Sequence, residues 1–297
     1  MTVATSNRTV SVVIPTYNRC DRLRVALDAV CSQNVDDLEV IVVDNNSRDN
    51  TASLVKAYPD PRVTYTVCTE QGVYPALNHG FARAKGAYLT WTSDDNWFHE
   101  GALQDMLTVI KSKPADFVYS DFLRFFEKTG EIRIAQVREP CHLDEYCCIG
   151  PCFLYRREVY ERLGAHDVRY RLASDYDFWL RIRRAGFRMM PLRTPRYTFT
   201  YHETSVSTSQ ADPLYAESCR IRLAHGCYRR YWDRVGEAFQ PWLGLTQAEV
   251  LLRHGYLSEA VLLTGKVLCQ QPWSWACWRG CAGRIVRAAL CLANRKS

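Results

Sequence analysis

The sequence predicts an α/β fold built on a largely parallel sheet, followed by a helical extension. Three observations carry this. Apolar β-branched runs alternate with helical patterns through the first 70 residues, an acidic pair ends the run AYLTWT, and beyond Asp212-Pro213 the pattern is helical to the end. The boundary is set at residue 212, giving a domain of 1–212 and an extension of 213–297.

The elements follow in order. VSVVIPT (10–16) is a β-branched run ended by proline and threonine, the pattern of a fully buried strand. Asn18 or Asp21 is positioned to cap a helix in which Leu23, Ala26, Leu27 and Val30 recur at helical spacing. LEVIVVD (38–44) repeats the strand pattern, Asp49 precedes a helix TASLVKAY as its cap, and RVTYTV (62–67) alternates as a third strand. Strand, helix, strand, helix, strand implies right-handed parallel connections, helices on both faces and ligands gathered at the strands' carboxyl ends. A helix around Ala76–Ala84 leads into AYLTWT and then Ser93-Asp94-Asp95-Asn96. After a helix near 101–112, DFVYSDFLRFF reads as a strand and GEIRIAQV as its antiparallel partner; 156–163 and 175–185 read as helices and RYTFTYHE as a closing strand.

Composition excludes several classes. Hydrophobic residues at 47%, charged residues at 24%, 15 Gly and 12 Pro describe an ordinary folded chain. No stretch approaches the roughly 18 uninterrupted apolar residues of a bilayer span, and MTVATSNRTV lacks a signal peptide's apolar run, so a cytoplasmic protein is expected. Thirteen cysteines, an odd number without an export signal, read as reduced thiols rather than a disulfide framework. Cys141, Cys147, Cys148 and Cys152 lack the paired knuckle spacing of structural zinc. From Cys219 onward there are 12 Lys and Arg against 4 Asp and Glu, a local charge of +8, whereas the preceding part carries −2.

Some residues have a chemistry of their own. Two adjacent carboxylates at a sheet's carboxyl edge, Asp94 and Asp95, repel unless a cation or proton relieves them; Mg²⁺ or Mn²⁺ suits such oxygens, and a solvated turn is the plainer reading. Asp175-Tyr176-Asp177 opens an amphipathic helix, where a carboxylate serves either as an N-terminal cap or as a general base. Pro15-Thr16-Tyr17-Asn18-Arg19 contains no glycine and is neither a Walker loop nor a dinucleotide fingerprint. Tyr17 can stack on a base, and Asp44 can accept a ring N–H. His202, in TYHETSVS, reads as structural, or as a third metal ligand or phosphate contact.

Together these segments resemble family 2 of the inverting glycosyltransferases. VSVVIPTYNR, EVIVVDNNSRDNT, GVYPALNHGFARAKGAYLTWTSDDN, GPCFLYRREVYERLGAHD with ASDYDFWLRIRRAGF, and YHETSVS match in order over about 200 residues. The resemblance implies the GT-A fold, a mixed Rossmann-like sheet. It implies that Pro15, Thr16, Tyr17, Asp44, Asn78 and Asp94 hold the donor nucleotide, uridine before guanosine or thymidine. It further implies that Asp95, with Asp94 and His202, holds Mn²⁺ or Mg²⁺, and that Asp175 is the catalytic base. Thr92 stands where the fuller pattern has another Asp, and Ser174 where Glu often precedes the base. The implied partners are a nucleoside-diphosphate sugar and a saccharide or lipid-linked saccharide acceptor, in polysaccharide or glycolipid synthesis.

Trp273, Trp275 and Trp278 stand beside Arg279, Arg284, Arg287, Arg295 and Lys296. This segment reads either as an appendage packed on the domain or as an interfacial helix making peripheral membrane contact through 273–297. No nucleic-acid motif accompanies it. The rival functions are a nucleotidyltransferase, which is expected to show a glycine-rich phosphate loop after its first strand, and a non-catalytic nucleotide-sugar-binding scaffold.

Overall fold

The structure, a computed structural model, describes residues 9–227 and 241–270. They form two compact units that divide between Thr208 and Ser209, with Asp144–Cys147 belonging to the second.

The first unit is built on a seven-stranded sheet. In chain order it contains β1 (Val10–Thr16), α1 (Cys20–Cys31), β2 (Leu38–Asp44), α2 (Thr51–Lys56), β3 (Val63–Val67), α3 (Val73–Phe81), β4 (Tyr88–Trp91), β5 (Trp97–Phe98), α4 (Ala102–Ser112), β6 (Phe117–Ser120), β7 (Phe122–Phe126) and β8 (Glu131–Ala135). A 3₁₀ turn (Pro140–Asp144), β9 (Phe153–Arg156), α5 (Arg157–Leu163), α6 (Ser174–Arg184), β10 (Met189–Leu192), β11 (Tyr197–Tyr201) and α7 (Val206–Ser209) follow, the last residue of the 3₁₀ turn and of α7 falling in the second unit. The sheet order is β10-β6-β9-β4-β1-β2-β3, with β9 antiparallel to both neighbours. This is the mixed α/β sheet that the resemblance implies.

The chain runs from β1 outward to β2 and β3, then returns to place β4 on the other side of β1. The gap between β1 and β4 is therefore the topological switch point, where open α/β sheets hold ligands. Register deepens it. β1 pairs with β2 along its whole length, Val10↔Leu38 to Thr16↔Asp44, but with β4 only from Val10↔Tyr88 to Val13↔Trp91. Beyond Val13 the pairing with β4 ends, and a ligand crevice is expected at this strand edge beside Thr16.

The apolar runs become strands because both faces are covered. Leu23, Leu27 and Val30 of α1 and Leu103, Met106 and Ile110 of α4 pack with Val10, Val12, Ile14, Val40 and Val42. Burying each such side chain stabilises the fold by about 1.5–3 kcal/mol. On the opposite face α3 approaches so closely that a Cβ on Gly80 would lie 2.4 Å from Val13. There Trp179 of α6 meets Phe153 and Phe117 with ring centroids 4.7 and 4.8 Å apart.

Several sequence expectations are corrected. DFVYSDFLRFF is two strands in two sheets: β6 belongs to the seven-stranded sheet and β7 to a second sheet ordered β5-β11-β7-β8. Asp121 makes the corner, its carboxylate accepting the Val137 N–H at 2.8 Å. The pairing of β7 with β8 is antiparallel, as expected. Neither Asn18 nor Asp21 caps α1; the Cys20 N–H donates instead to Asp49 Oδ2 at 3.0 Å, while Asp49 Oδ1 accepts the Thr51 N–H of α2 at 3.0 Å. One carboxylate from the next loop thus serves two helix starts. The central helix begins at Val73, before Ala76, and β9 and β10 are too short to announce themselves by pattern.

The second unit packs α8 (Ala211–Ala224), α9 (Pro241–Arg253) and α10 (Leu257–Gln270) around Cys219, Leu223, Leu251, Leu252, Leu263 and Val267. The segment GYLSEAVLLTGKVL supplies α10 and the turn before it, where Gly255 takes φ 82°. No helix among the described residues is long and apolar enough to cross a membrane. The tryptophan-rich segment 273–297 lies outside the described residues.

Candidate active site

At the crevice, Thr16 ends β1 and its hydroxyl donates to Asp94 Oδ2 at 2.8 Å. Asp95 Oδ1 accepts from its neighbour Asn96 at 2.8 Å, and Asn96 Oδ1 in turn accepts the Thr200 N–H of β11 at 2.7 Å. Each acidic side chain therefore has one oxygen held by the frame and one turned elsewhere. Those two, Asp94 Oδ1 and Asp95 Oδ2, meet the Arg19 guanidinium at 3.3 and 2.6 Å. His202 adds Nε2 at 3.0 Å from Asp95 Oδ2, while its Nδ1 lies 3.0 Å from the Thr204 hydroxyl. The two carboxylates are only 6% and 8% exposed. Burial first, then the charge of Asp95, pushes Asp94 up to about 6, against the pull of Arg19 and Thr16.

Thr92 is fully buried with its hydroxyl 2.6 Å from that of Tyr197, so this position turns no carboxylate into the crevice. Asp44, at the end of β2, accepts the Ser47 N–H at 2.8 Å and the Tyr65 hydroxyl at 2.6 Å. Burial and that carboxylate push the Tyr65 phenol up to about 12. Between these strand ends Tyr17 is 49% exposed. Its loop is pinned by Asn18, which takes φ 51°, accepts the Arg48 N–H at 2.7 Å and donates its own N–H to Ser47 at 2.8 Å. Pro15 is buried inside β1, paired with Val43.

Asp175 reaches the same sheet edge through α3. Asn45, following β2, accepts the Gly72 N–H at 2.8 Å, which starts α3 at the carboxyl edge; one residue into that helix is Tyr74, whose hydroxyl donates to Asp175 Oδ1 at 3.1 Å. Asp177, the other carboxylate of this segment, pairs with Arg181 at 2.8 Å along the helix. The Asn78 amide braces this region: it donates to the His166 carbonyl and accepts the His166 N–H, both at 2.9 Å. Its contacts are thus with backbone rather than with the crevice.

The structure brings Thr16, Asp94, Asp95 and His202 together, with Tyr17 and Asp44 at the adjacent strand ends. Sequence reading passes over Arg19 and Tyr74. Arg19 is visible only as a basic residue one step past the PTYN turn, and Tyr74 carries no motif of its own.

The donor set suits a hard divalent cation: two carboxylate oxygens and one imidazole nitrogen converge. In the present arrangement Nε2 donates to Asp95, so ligation through it requires the other tautomer, with Nδ1–H turned to Thr204. Among the described residues no three acidic, His or Cys side chains stand in a ready metal-ligand cluster, and in this arrangement Arg19 Nη1 contacts both acids.

Comparison with known proteins identifies the family and the fold. The profile described as Glycosyl transferase family 2 matches residues 11–164. A PGL/p-HBAD biosynthesis glycosyltransferase of Mycobacterium bovis is 30% identical over 182 residues, covering 58% of this chain and 68% of that protein. Among solved structures, a mannosyltransferase from Pyrobaculum calidifontis, in complex with GDP-Man and Mn²⁺, superposes with TM-score 0.59 at 20% identity, covering 96% and 87% of the two chains. A fragment of S. aureus TarS in complex with UDP gives 0.57 at 18% identity, covering 94% and 80%. The match spans 43% of a longer TarS chain. At these identities the structures show the fold.

Proposed function

The chain belongs to glycosyl transferase family 2, and from that premise we propose that it transfers a sugar, with inversion, from a nucleoside-diphosphate sugar to an acceptor hydroxyl. The carrying observation is the convergence of Thr16, Asp94, Asp95 and His202 at the β1/β4 switch point, with Asp175 held at the same edge by Tyr74. UDP-sugars are favoured, a base for which the TarS complex with UDP is a precedent in another protein.

In this reading Tyr17 stacks on the base and Asp44 accepts a ring N–H from it. Pro15 and Asn78 serve by holding the frame. Asp95, Asp94 and His202 hold Mn²⁺ or Mg²⁺, which when bound offsets the negative charge that develops on the leaving diphosphate. Asp175 removes the proton of the acceptor hydroxyl as its oxygen attacks sugar C1 from the face opposite the diphosphate, and the C1–O bond to phosphate breaks. Asp177, paired with Arg181, supports α6. Residues 1–212 carry this chemistry. The acceptor is a saccharide or lipid-linked saccharide, consistent with the relative named for PGL/p-HBAD biosynthesis. For 273–297 the reading is a peripheral contact on the cytoplasmic membrane face, with an appendage packed on the domain as its alternative.

Calorimetry with UDP, GDP, dTDP and CMP, with and without Mn²⁺, tests the donor site. One nucleotide should bind in a metal-dependent manner, and Asp95→Ala should weaken it. Asp175→Asn should abolish transfer while nucleotide binding survives. Turnover retained in Asp175→Asn sinks the base assignment, and nucleotide binding without turnover for any donor and acceptor favours the scaffold reading.

A further inference from the structure

We propose that Arg19 is the resident cation of the acidic site, that it competes with a divalent ion until a diphosphate arrives, and that it then transfers its charge to that diphosphate. This rests on the reading of Asp94 and Asp95 as donor-site acids.

Local structure aims the side chain. The left-handed turn at Asn18, fixed by Ser47 and Arg48, brings Arg19 to the start of α1 with its guanidinium in the crevice. Thr16 already holds Asp94 Oδ2 and Asn96 already holds Asp95 Oδ1, at 2.8 Å each. The oxygens turned toward a common point are Asp94 Oδ1 and Asp95 Oδ2, and Arg19 Nη1 takes both, at 3.3 and 2.6 Å. A divalent ion requires the same two atoms. Asp95 Oδ2 already takes both Nη1 and His202 Nε2, and a divalent ion brought to it beside the guanidinium meets the repulsion of an adjacent cation. The two cations therefore compete for the acids.

The other end of the guanidinium connects the site to the closing loop. Nη2 donates to the Thr204 carbonyl at 2.9 Å, two residues past His202. Displacing Arg19 thus removes one tie to the segment carrying the imidazole, which can then change tautomer and turn to a metal. A guanidinium is always charged and forms paired bonds to phosphate oxygens, so a diphosphate in the crevice is its natural new partner. The side chain is 25% exposed, so the guanidinium is not sealed in the core. Metal and diphosphate consequently enter as a unit, and metal alone binds poorly.

The test is Mn²⁺ binding without nucleotide, by calorimetry or by loss of the free-ion paramagnetic resonance signal, on wild type, Arg19→Gln and Arg19→Lys. Arg19→Gln should bind Mn²⁺ alone about tenfold or more tightly than wild type, the scale on which one nearby cation alters a carboxylate's proton affinity. Arg19→Lys, a charge without the planar fork, should fall between. With Mn²⁺ saturating, the order reverses for UDP, which Arg19→Gln should bind about tenfold more weakly. Unchanged or weaker Mn²⁺ affinity in Arg19→Gln without nucleotide overturns the proposal, as does finding no Mn²⁺ binding in any of the three. Asp95→Ala separates the two levels. If it abolishes Mn²⁺ binding while Arg19→Gln changes nothing, the acidic site stands and only the role of Arg19 falls. If Mn²⁺ binding ignores Asp95→Ala, the donor-site reading itself fails.

Discussion

The Tyr74 hydroxyl donates to Asp175 Oδ1 at 3.1 Å, and the same oxygen accepts the Tyr176 N–H at 2.8 Å. Tyr74 is 5% exposed on α3 and lies 3.1 Å from the Leu172 carbonyl, so it ties the start of α6 to the sheet edge. Hydrogen bonds to charged groups contribute about 1.5–3 kcal/mol. Tyr74→Phe should lower kcat roughly ten- to a hundredfold with little change in donor KM. Because the lost donor favours the ionised carboxylate, the acid limb of the pH–rate profile should move to higher pH. A steady-state pH series reads both, and an unmoved limb reduces Tyr74 to a packing residue.

Tyr17 is half exposed and makes no contribution to the core. Base–aromatic stacking is worth about 1–3 kcal/mol when tested by alanine. Tyr17→Ala should therefore weaken UDP binding roughly tenfold while thermal stability stays within experimental scatter. A titration showing unchanged affinity removes Tyr17 from the base site.

His166 is buried among Tyr74, Phe81 and Phe178, with ring centroids 5.4, 6.2 and 4.9 Å away. Burial lowers it from 6.5 to about 4, so the folded protein binds its proton less readily than the unfolded chain. The sign follows: the stabilisation is complete above pH 6.5 and is lost as pH falls toward 4, by about 3 kcal/mol. Asp94, raised from 3.8 to about 6, works the other way, its stabilisation complete below 3.8 and lost as pH rises through 6. Urea denaturation of wild type and His166→Phe at pH 4.5 and 7 isolates the histidine; the variant should lose markedly less stability on acidification.

A Cβ at Gly86 would lie 2.5 Å from the Ser11 nitrogen and 2.7 Å from the Val10 carbonyl carbon, and the Gly86 N–H donates to the Ser11 hydroxyl at 2.7 Å. The obstruction is the backbone of the central strand, which cannot yield as a side chain would. Gly86→Ala should destabilise by about 1–3 kcal/mol, seen as a Tm lowered by roughly 2–4 °C per kcal/mol. A Tm equal to wild type would show that the turn before β4 relaxes freely.

Local pattern was enough for the strands and helices up to β4. Val10–Thr16 and Leu38–Asp44 carry uninterrupted apolar runs, and the helices after them have strong periodicity. The pattern weakens after Ser120 because β9 and β10 are four residues long and pair with strands distant in the chain, and β7 joins β11 in a second sheet. Asp121 looks like one more residue of a strand until the second sheet gives it a corner to make.

What the sequence determined by itself is the order of apolar runs and the types of residue at their ends, because burial and backbone pairing act on neighbours along the chain. Thr16, Asp44, Asp94 and Asp175 are legible on that basis as strand-end or helix-start groups. What only the tertiary structure decided is which oxygens face each other. The register of β1 against β4 leaves Thr16 opposite Asp94, the turn at Asn18 sends Arg19 onto both acids, and α3 carries Tyr74 to Asp175 across 101 positions of sequence. The reason is physical: hydrogen bonds and ion pairs depend on distances of about 3 Å, and those are set by packing between elements rather than by the spacing of letters.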